Sequence, residues 1–217
     1  MSLQYQIVPV TSFSQNCSIV WCDETMKGIV IDPGGDEKQL AALIKELGVE
    51  VVSLALTHGH LDHVGGTTPL AEELSCQVIG PHKADNFWLQ GLEGQSQMFG
   101  FPLTLAFEPN QWLDEGDTIS FGNQVLNVYH TPGHTPGHVI FYSDTAKLAF
   151  VGDVLFSGGI GRTDFPQGSF DTLIKSIKEK LWVLGNDVTF VPGHGPTSTF
   201  GKERRTNPFV ADEMPLY

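Results

Sequence analysis

The run Leu56-Thr57-His58-Gly59-His60-Leu61-Asp62-His63-Val64-Gly65-Gly66 puts three imidazoles and a carboxylate within six positions. With eight histidines and thirteen aspartates in 217 residues, a His-x-His-x-Asp-His run arises by shuffling roughly once in 1,500 such chains. A lone histidine is usually a hydrogen-bonded core or surface residue, but four ligand-type side chains at this spacing are not explained that way. In extended or loop backbone His58 and His60 point to the same side, so both can bind one metal ion. Asp62 and His63 are displaced along the chain, within reach of a second ion. Imidazole and carboxylate suit zinc, iron or manganese. Gly59, Gly65 and Gly66 permit the sharp turns and close backbone approach that such a loop needs.

Three further segments supply ligands of the same kind. Thr131-Pro132-Gly133-His134-Thr135-Pro136-Gly137-His138 carries two histidines on rigid turns. Phe150-Val151-Gly152-Asp153 brings a carboxylate to a strand end, and Val191-Pro192-Gly193-His194-Gly195 brings another imidazole. His58, His134, Asp153 and His194 each stand just after an apolar, β-branched run: 51–56, 125–129, 148–151 and 188–191. Loops leaving strand ends can converge at one sheet edge, which gathers these side chains in one cleft on a rigid support.

Other apolar runs closed by Gly, Pro or Asp read as strands at 5–10, 17–22, 28–31, 77–79, 118–121 and 139–142. Leu40, Leu43, Ile44 and Leu47 follow helical spacing after Asp36, with Gly48 at the stop position. Phe170, Leu173, Ile174, Ile177, Leu181 and Leu184 repeat that spacing over four turns, closed by Gly185. Weaker helical patterns cover 68–74 and 83–89, whereas 91–112 shows no period. Strands with a few one-faced helices predict an α/β chain of packed sheets covered by helices.

At 217 residues the length fits one large domain or two small ones, and 1–217 is read as a single domain. With 41% hydrophobic residues and no low-complexity tract, disorder is expected only at the termini. No run of 18 apolar residues exists, so no membrane helix is expected. The first residues lack a basic region and a long apolar region, so they do not read as a signal peptide. Cys17, Cys22 and Cys76 form no C-x-x-C pair and are expected as reduced thiols, which agrees with a cytoplasmic location. The formal charge of −13 disfavours a nucleic-acid backbone as substrate, since only Lys202, Arg204 and Arg205 cluster.

Taken together, these residues resemble the metallo-β-lactamase superfamily. Within it the chain resembles the glyoxalase II group of hydroxyacylglutathione hydrolases, in its short bacterial form, from Ile7 to about Phe209. Its marks are Asn16-Cys17, Asp32-Pro33-Gly34-Gly35, the His-x-His-x-Asp-His run, the doubled Thr-Pro-Gly-His, Gly152-Asp153, Gly161-Arg162-Thr163-Asp164-Phe165, Pro192-Gly193-His194-Gly195 and Asn207-Pro208-Phe209. The resemblance implies an αββα sandwich with two divalent metal ions, zinc above all, at one edge. It implies His58, His60 and His134 on the first ion, Asp62, His63 and His194 on the second, and Asp153 bridging. Asp62 and Asp153 are the implied catalytic carboxylates. His138 matches a histidine that is not a ligand in the family, and a structural hydrogen bond suits it; His82 and His130 match nothing.

The implied activity is hydrolysis of S-D-lactoylglutathione or a related hydroxyacylglutathione, a small-molecule thioester. Two dications about 3.5–4 Å apart lower the pKa of a bridging water toward neutrality, and the hydroxide attacks the carbonyl without a serine or cysteine nucleophile. Longer relatives carry a C-terminal helical domain that helps hold glutathione, and only eight residues follow Phe209 here. Arg162 aligns roughly with a basic residue that touches glutathione in those relatives; pairing with Asp164 or Asp171 is the alternative. The rival reading is a mononuclear iron persulfide dioxygenase of the same fold, using His58, His134 and Asp153.

Overall fold

The computed structural model describes residues 2–212. Its first half is β1 (Leu3–Val10), β2 (Gln15–Cys22), β3 (Lys27–Ile31), α1 (Glu37–Leu47), β4 (Glu50–Ala55), the single turn α2 (Leu61–Val64), α3 (Thr67–Leu74) and β5 (Gln77–Ile79). These strands form one sheet in the order β1-β2-β3-β4-β5. The hairpins β1–β2 and β2–β3 are antiparallel, and β3–β4–β5 run parallel through helical crossovers. In α1, Leu40 and Ile44 are buried one turn apart, Glu37 sits in the first turn and Lys45 in the last. Gly48 ends the helix at φ 70°, a left-handed conformation that glycine adopts without steric cost.

The second half continues with α4 (Asn86–Gln90), α5 (Leu92–Phe99), β6 (Thr118–Phe121), β7 (Gln124–His130), β8 (Val139–Ser143) and β9 (Leu148–Gly152). A small hairpin, β10 (Leu155–Phe156) with β11 (Gly159–Ile160), precedes α6 (Phe170–Ser176), β12 (Thr189–Pro192), β13 (Ser198–Thr199) and α7 (Phe200–Thr206). The second sheet has the order β13-β12-β9-β8-β7-β6.

Three buried clusters define four layers. Val20, Ile29, Ile31 and Ala55 of the first sheet meet Phe121, Val128, Phe141 and Phe150 of the second. The outer face of the first sheet packs Ile19, Val30 and Leu54 against Leu40 and Ile44 of α1 and Leu70 of α3. The outer face of the second packs Ile140, Ala149 and Phe190 against Leu173, Ile177 and Phe200. Burying each Val, Leu, Ile or Phe among these contributes about 1.5–3 kcal/mol. The arrangement is the expected αββα sandwich. No helix among the described residues is long and apolar enough to cross a membrane.

The structure departs from the sequence reading in several elements, and β10, β11, β13 and α7 are elements that the apolar runs do not predict. The expected four-turn helix is α-helical only to Ser176; 177–181 is a π-helix and 182–184 a 3₁₀ turn. Leu173, Ile177 and Leu181 recur every four residues, slower than 3.6, and a wider π turn keeps them all on the sheet. The aperiodic 91–112 contains α5, whose Met98 and Phe99 remain 78% and 46% exposed, so it presents no one-sided stripe to read. Asp62 and His63, expected only as displaced along the chain, lie on the helical turn α2.

A candidate metal centre

Strand ends deliver the site. His58 and His60 follow β4, His134 follows β7, Asp153 follows β9 and His194 follows β12. Pairing of β9 with β12 sets the last two side by side, and Gly193 N donates to Gly152 O at 2.7 Å. Gly152 turns at φ 48°, where a Cβ would meet Thr57 Oγ1 and His138 Nε2. A Cβ on Gly193 would overlap Asp153 Oδ1 and His63 Cε1, which accounts for glycine in Pro192-Gly193-His194.

All seven expected residues come together in two groups. His58 Nε2 and His134 Nε2 lie 3.1 and 3.0 Å from His60 Nδ1. In the second group, His194 Nε2 is 3.1 Å from Asp62 Oδ2, and His63 Nε2 is 3.8 Å from the same oxygen. Asp153 stands between the groups. Its Oδ1 is 3.3 Å from His63 Nε2, and its Oδ2 is 3.7 Å from both His134 Nε2 and His194 Nε2.

The outer nitrogens decide what faces inward. His134 Nδ1 donates to the Arg162 carbonyl at 2.7 Å, His194 Nδ1 to the Phe13 carbonyl at 3.2 Å, and His63 Nδ1 to Asp32 Oδ2 at 2.8 Å. Thr57 Oγ1 spends its proton on Asp32 Oδ2 at 2.6 Å, so it accepts from His58 Nδ1 at 3.0 Å. Each of these four rings therefore turns its Nε2 to the centre, and in the neutral imidazole, which carries one proton, that nitrogen is bare. His60 Nδ1 has at most one proton for the two facing nitrogens, His58 Nε2 and His134 Nε2, so at least one contact at about 3 Å sets lone pair against lone pair unless a cation lies between them. His63 Nε2 and Asp153 Oδ1, both buried, have no hydrogen-bond partner. This donor set fits divalent metal ions, each imidazole being held from behind by an acceptor.

Electrostatics divides the groups. Burial holds His58 well below the ordinary imidazole value, lowers His134 and, with His134 beside it, brings His60 to about 3. Burial opposes charge on His63 as well, but Asp153 and Asp62 push it well above its usual range. His194 is raised by its bond to Asp62, against burial. Asp153 is held far below the carboxylate range by His63 and His134 in spite of its burial. The second group thus favours positive charge, either protons on its imidazoles or a cation that displaces them.

Asp32, His58 and His63 also lie close enough to form a third grouping. Both Asp32 oxygens are occupied, Oδ1 by Thr57 N at 2.7 Å and Oδ2 by Thr57 Oγ1 and His63 Nδ1, so Asp32 supports rather than ligates. Asp85 does similar work across the cleft, accepting from Gly59 N, Thr135 Oγ1 and Gly137 N. Burial raises it to about 6 despite those donors. Neither support was assigned a role from sequence. Asp32 had a signal, as the acid opening Asp-Pro-Gly-Gly after a strand, whereas Asp85 had none.

His138 is buried, accepts from Asp153 N at 3.1 Å and stacks on His58 at 4.7 Å, behind the cluster rather than in it. His82 and His130 stack on each other, and His82 pairs with Asp114. Arg162 forms a two-pronged pair with Asp164 at 2.9 and 2.8 Å, and it also borders the cavity over the cluster. Asp171 is not its partner among these contacts. The cavity, about 740 Å³, is bounded on its floor by His60, Asp62, His134, Asp153 and His194.

A family model described as Metallo-beta-lactamase superfamily matches residues 10–194. Hydroxyacylglutathione hydrolase GloC of Haemophilus influenzae is 45% identical over 209 residues, covering 96% of this chain and 98% of that protein. The mitochondrial persulfide dioxygenase ETHE1 of Bos taurus is more distant, 34% identical over 191 residues, covering 85% of this chain and 67% of that protein. The crystal structure of TTHA1623 in a di-iron-bound form has a TM-score of 0.86 at 36% identity, covering 94% of this chain and 100% of that one. The chain belongs to the metallo-beta-lactamase superfamily, among its hydrolases.

Proposed function

We propose that this enzyme hydrolyses glutathione thioesters, S-D-lactoylglutathione or a related hydroxyacylglutathione. In this reading His58, His60 and His134 hold one divalent cation, Asp62, His63 and His194 hold a second, and Asp153 serves both. The observation that carries it is the place of Asp153, whose two oxygens reach His63 on one side and His134 and His194 on the other. When bound, such a pair of cations supplies a water acidified toward neutral pH and a Lewis acid for the carbonyl oxygen; zinc, iron and manganese all suit these ligands. Asp62 lines the cavity and is the carboxylate we assign to take the proton of the attacking water. Arg162 stands at the rim in an exposed pair with Asp164 and is the side chain we assign to border the thiol half.

The similarity to a hydroxyacylglutathione hydrolase over nearly the whole chain supports this reading. A mononuclear dioxygenase would need only His58, His134 and Asp153 as ligands, leaving His60, Asp62, His63 and His194 without a ligand role. We read 1–217 as one unit acting on a small molecule in the cytoplasm, with no nucleic acid or membrane involved. Purified protein should convert S-lactoylglutathione to glutathione and lactate, and a chelator should stop it. Oxygen uptake with glutathione persulfide and no thioester loss would replace this reading with the dioxygenase.

A further inference from the structure

The cavity above the cluster has a composition that a peptide thiol does not explain. Its upper walls are Phe13 from the β1–β2 turn, Phe99 and Phe101 at the end of α5, Phe156 and Ile160 from the β10–β11 hairpin, and Phe165. The Phe13 ring lies 5.8 Å from Phe99 and 4.9 Å from Phe101, both edge to face. Phe13 and Phe99 are nonetheless 44% and 46% exposed. Aromatic surface left open beside a reactive centre favours an apolar group placed against it.

Most polar side chains on these walls are already engaged, Trp88 Nε1, buried without a partner, being the exception. Gln95 Oε1 accepts from Leu61 N at 2.9 Å, and its Nε2 donates to the Trp88 carbonyl at 2.9 Å. Arg162, among the described residues the only cationic side chain bordering the cavity apart from the histidines, is paired with Asp164 and lies over the Phe165 ring at 4.6 Å. Glutathione carries two carboxylates and an ammonium, and burying them without partners is costly. A thioester therefore gains most by turning its acyl group to the aromatic wall and leaving its thiol half in water.

We infer that the enzyme selects its substrate by an apolar, preferably aromatic, acyl group held against Phe13, Phe99 and Phe101, and discriminates little among thiol carriers. This rests on the thioesterase reading of the same centre. Four thioesters test it: a lactoyl group, or the same 2-hydroxyacyl group with phenyl in place of methyl, each on glutathione and on N-acetylcysteamine. The phenyl group should raise kcat/KM about tenfold, mainly through KM, on either carrier. Exchange of carrier should change it by less than about threefold. In Phe99→Ala the phenyl advantage should fall to about twofold, and Phe99→Leu should recover part of it. A strong preference for glutathione with no phenyl advantage overturns the inference and leaves the thioesterase intact. A phenyl advantage untouched by Phe99→Ala overturns the assigned wall. Turnover of none of the four sinks the thioesterase reading itself.

Discussion

Asp32 Oδ2 accepts the Nδ1–H of His63 at 2.8 Å, with 3% and 0% of the two side chains exposed. The same carboxylate takes both the amide and the hydroxyl of Thr57, so one buried acid orients His63 directly and His58 through Thr57. An amide cannot replace it, because either orientation of Asn sets an NH₂ against another donor. Asp32→Asn should weaken binding of the second cation about 10–100-fold. It should also lower stability by about 1–3 kcal/mol, the cost of leaving buried donors unmet. Metal titration and a denaturant melt check both, and unchanged affinity would remove Asp32 from the account.

His134 and His138 occupy equivalent places in a doubled Thr-Pro-Gly-His, yet one faces the cluster and the other holds the Asp153 amide from behind. His134→Ala should abolish turnover and cut metal content. His138→Ala, which opens a buried space and orphans an amide, should chiefly lower the melting temperature, by several degrees. Paired metal analysis and melting curves showing the reverse would mean that the two histidines had been interchanged.

The two groups should part on acidification. His63 and His194, both raised by carboxylates, hold protons that a second cation must displace. His58, His60 and His134, all lowered by burial, are neutral well below their ordinary value, so the first cation meets little competition there. Lower pH favours the proton, so affinity for the second cation falls first. Dialysis between about pH 7 and 5 should take the protein from two metals per chain toward one. Simultaneous loss of both would contradict the assigned split.

The fold was legible where periodicity has a physical source. Ile119 and Phe121 alternate inward in β6, and Leu40 and Ile44 recur on one face of α1, because each element buries one side only. α5 was not legible, since its Met98 and Phe99 line an open cavity instead of a core. The seven cluster side chains were conspicuous because imidazoles and carboxylates rarely gather at strand ends. Asp85 was not, because a buried acid that accepts from Gly59, Thr135 and Gly137 acts through distant backbone, and nothing near it in sequence announces that. Arg162 was seen with two alternatives, and the structure shows the Asp164 pair and the cavity position together.

The central claim is a centre of two cations sharing Asp153 and hydrolysing a thioester. Its most direct test is to add metal stepwise to the stripped protein while following S-lactoylglutathione loss, with an oxygen electrode in the same cell. Turnover should climb until about two equivalents per chain are bound and then level off, with no oxygen consumed. In Asp153→Ala the same titration should bind little metal and restore no activity. A plateau at one iron per chain, with thioester intact and oxygen drawn down once glutathione persulfide is supplied, would contradict the account.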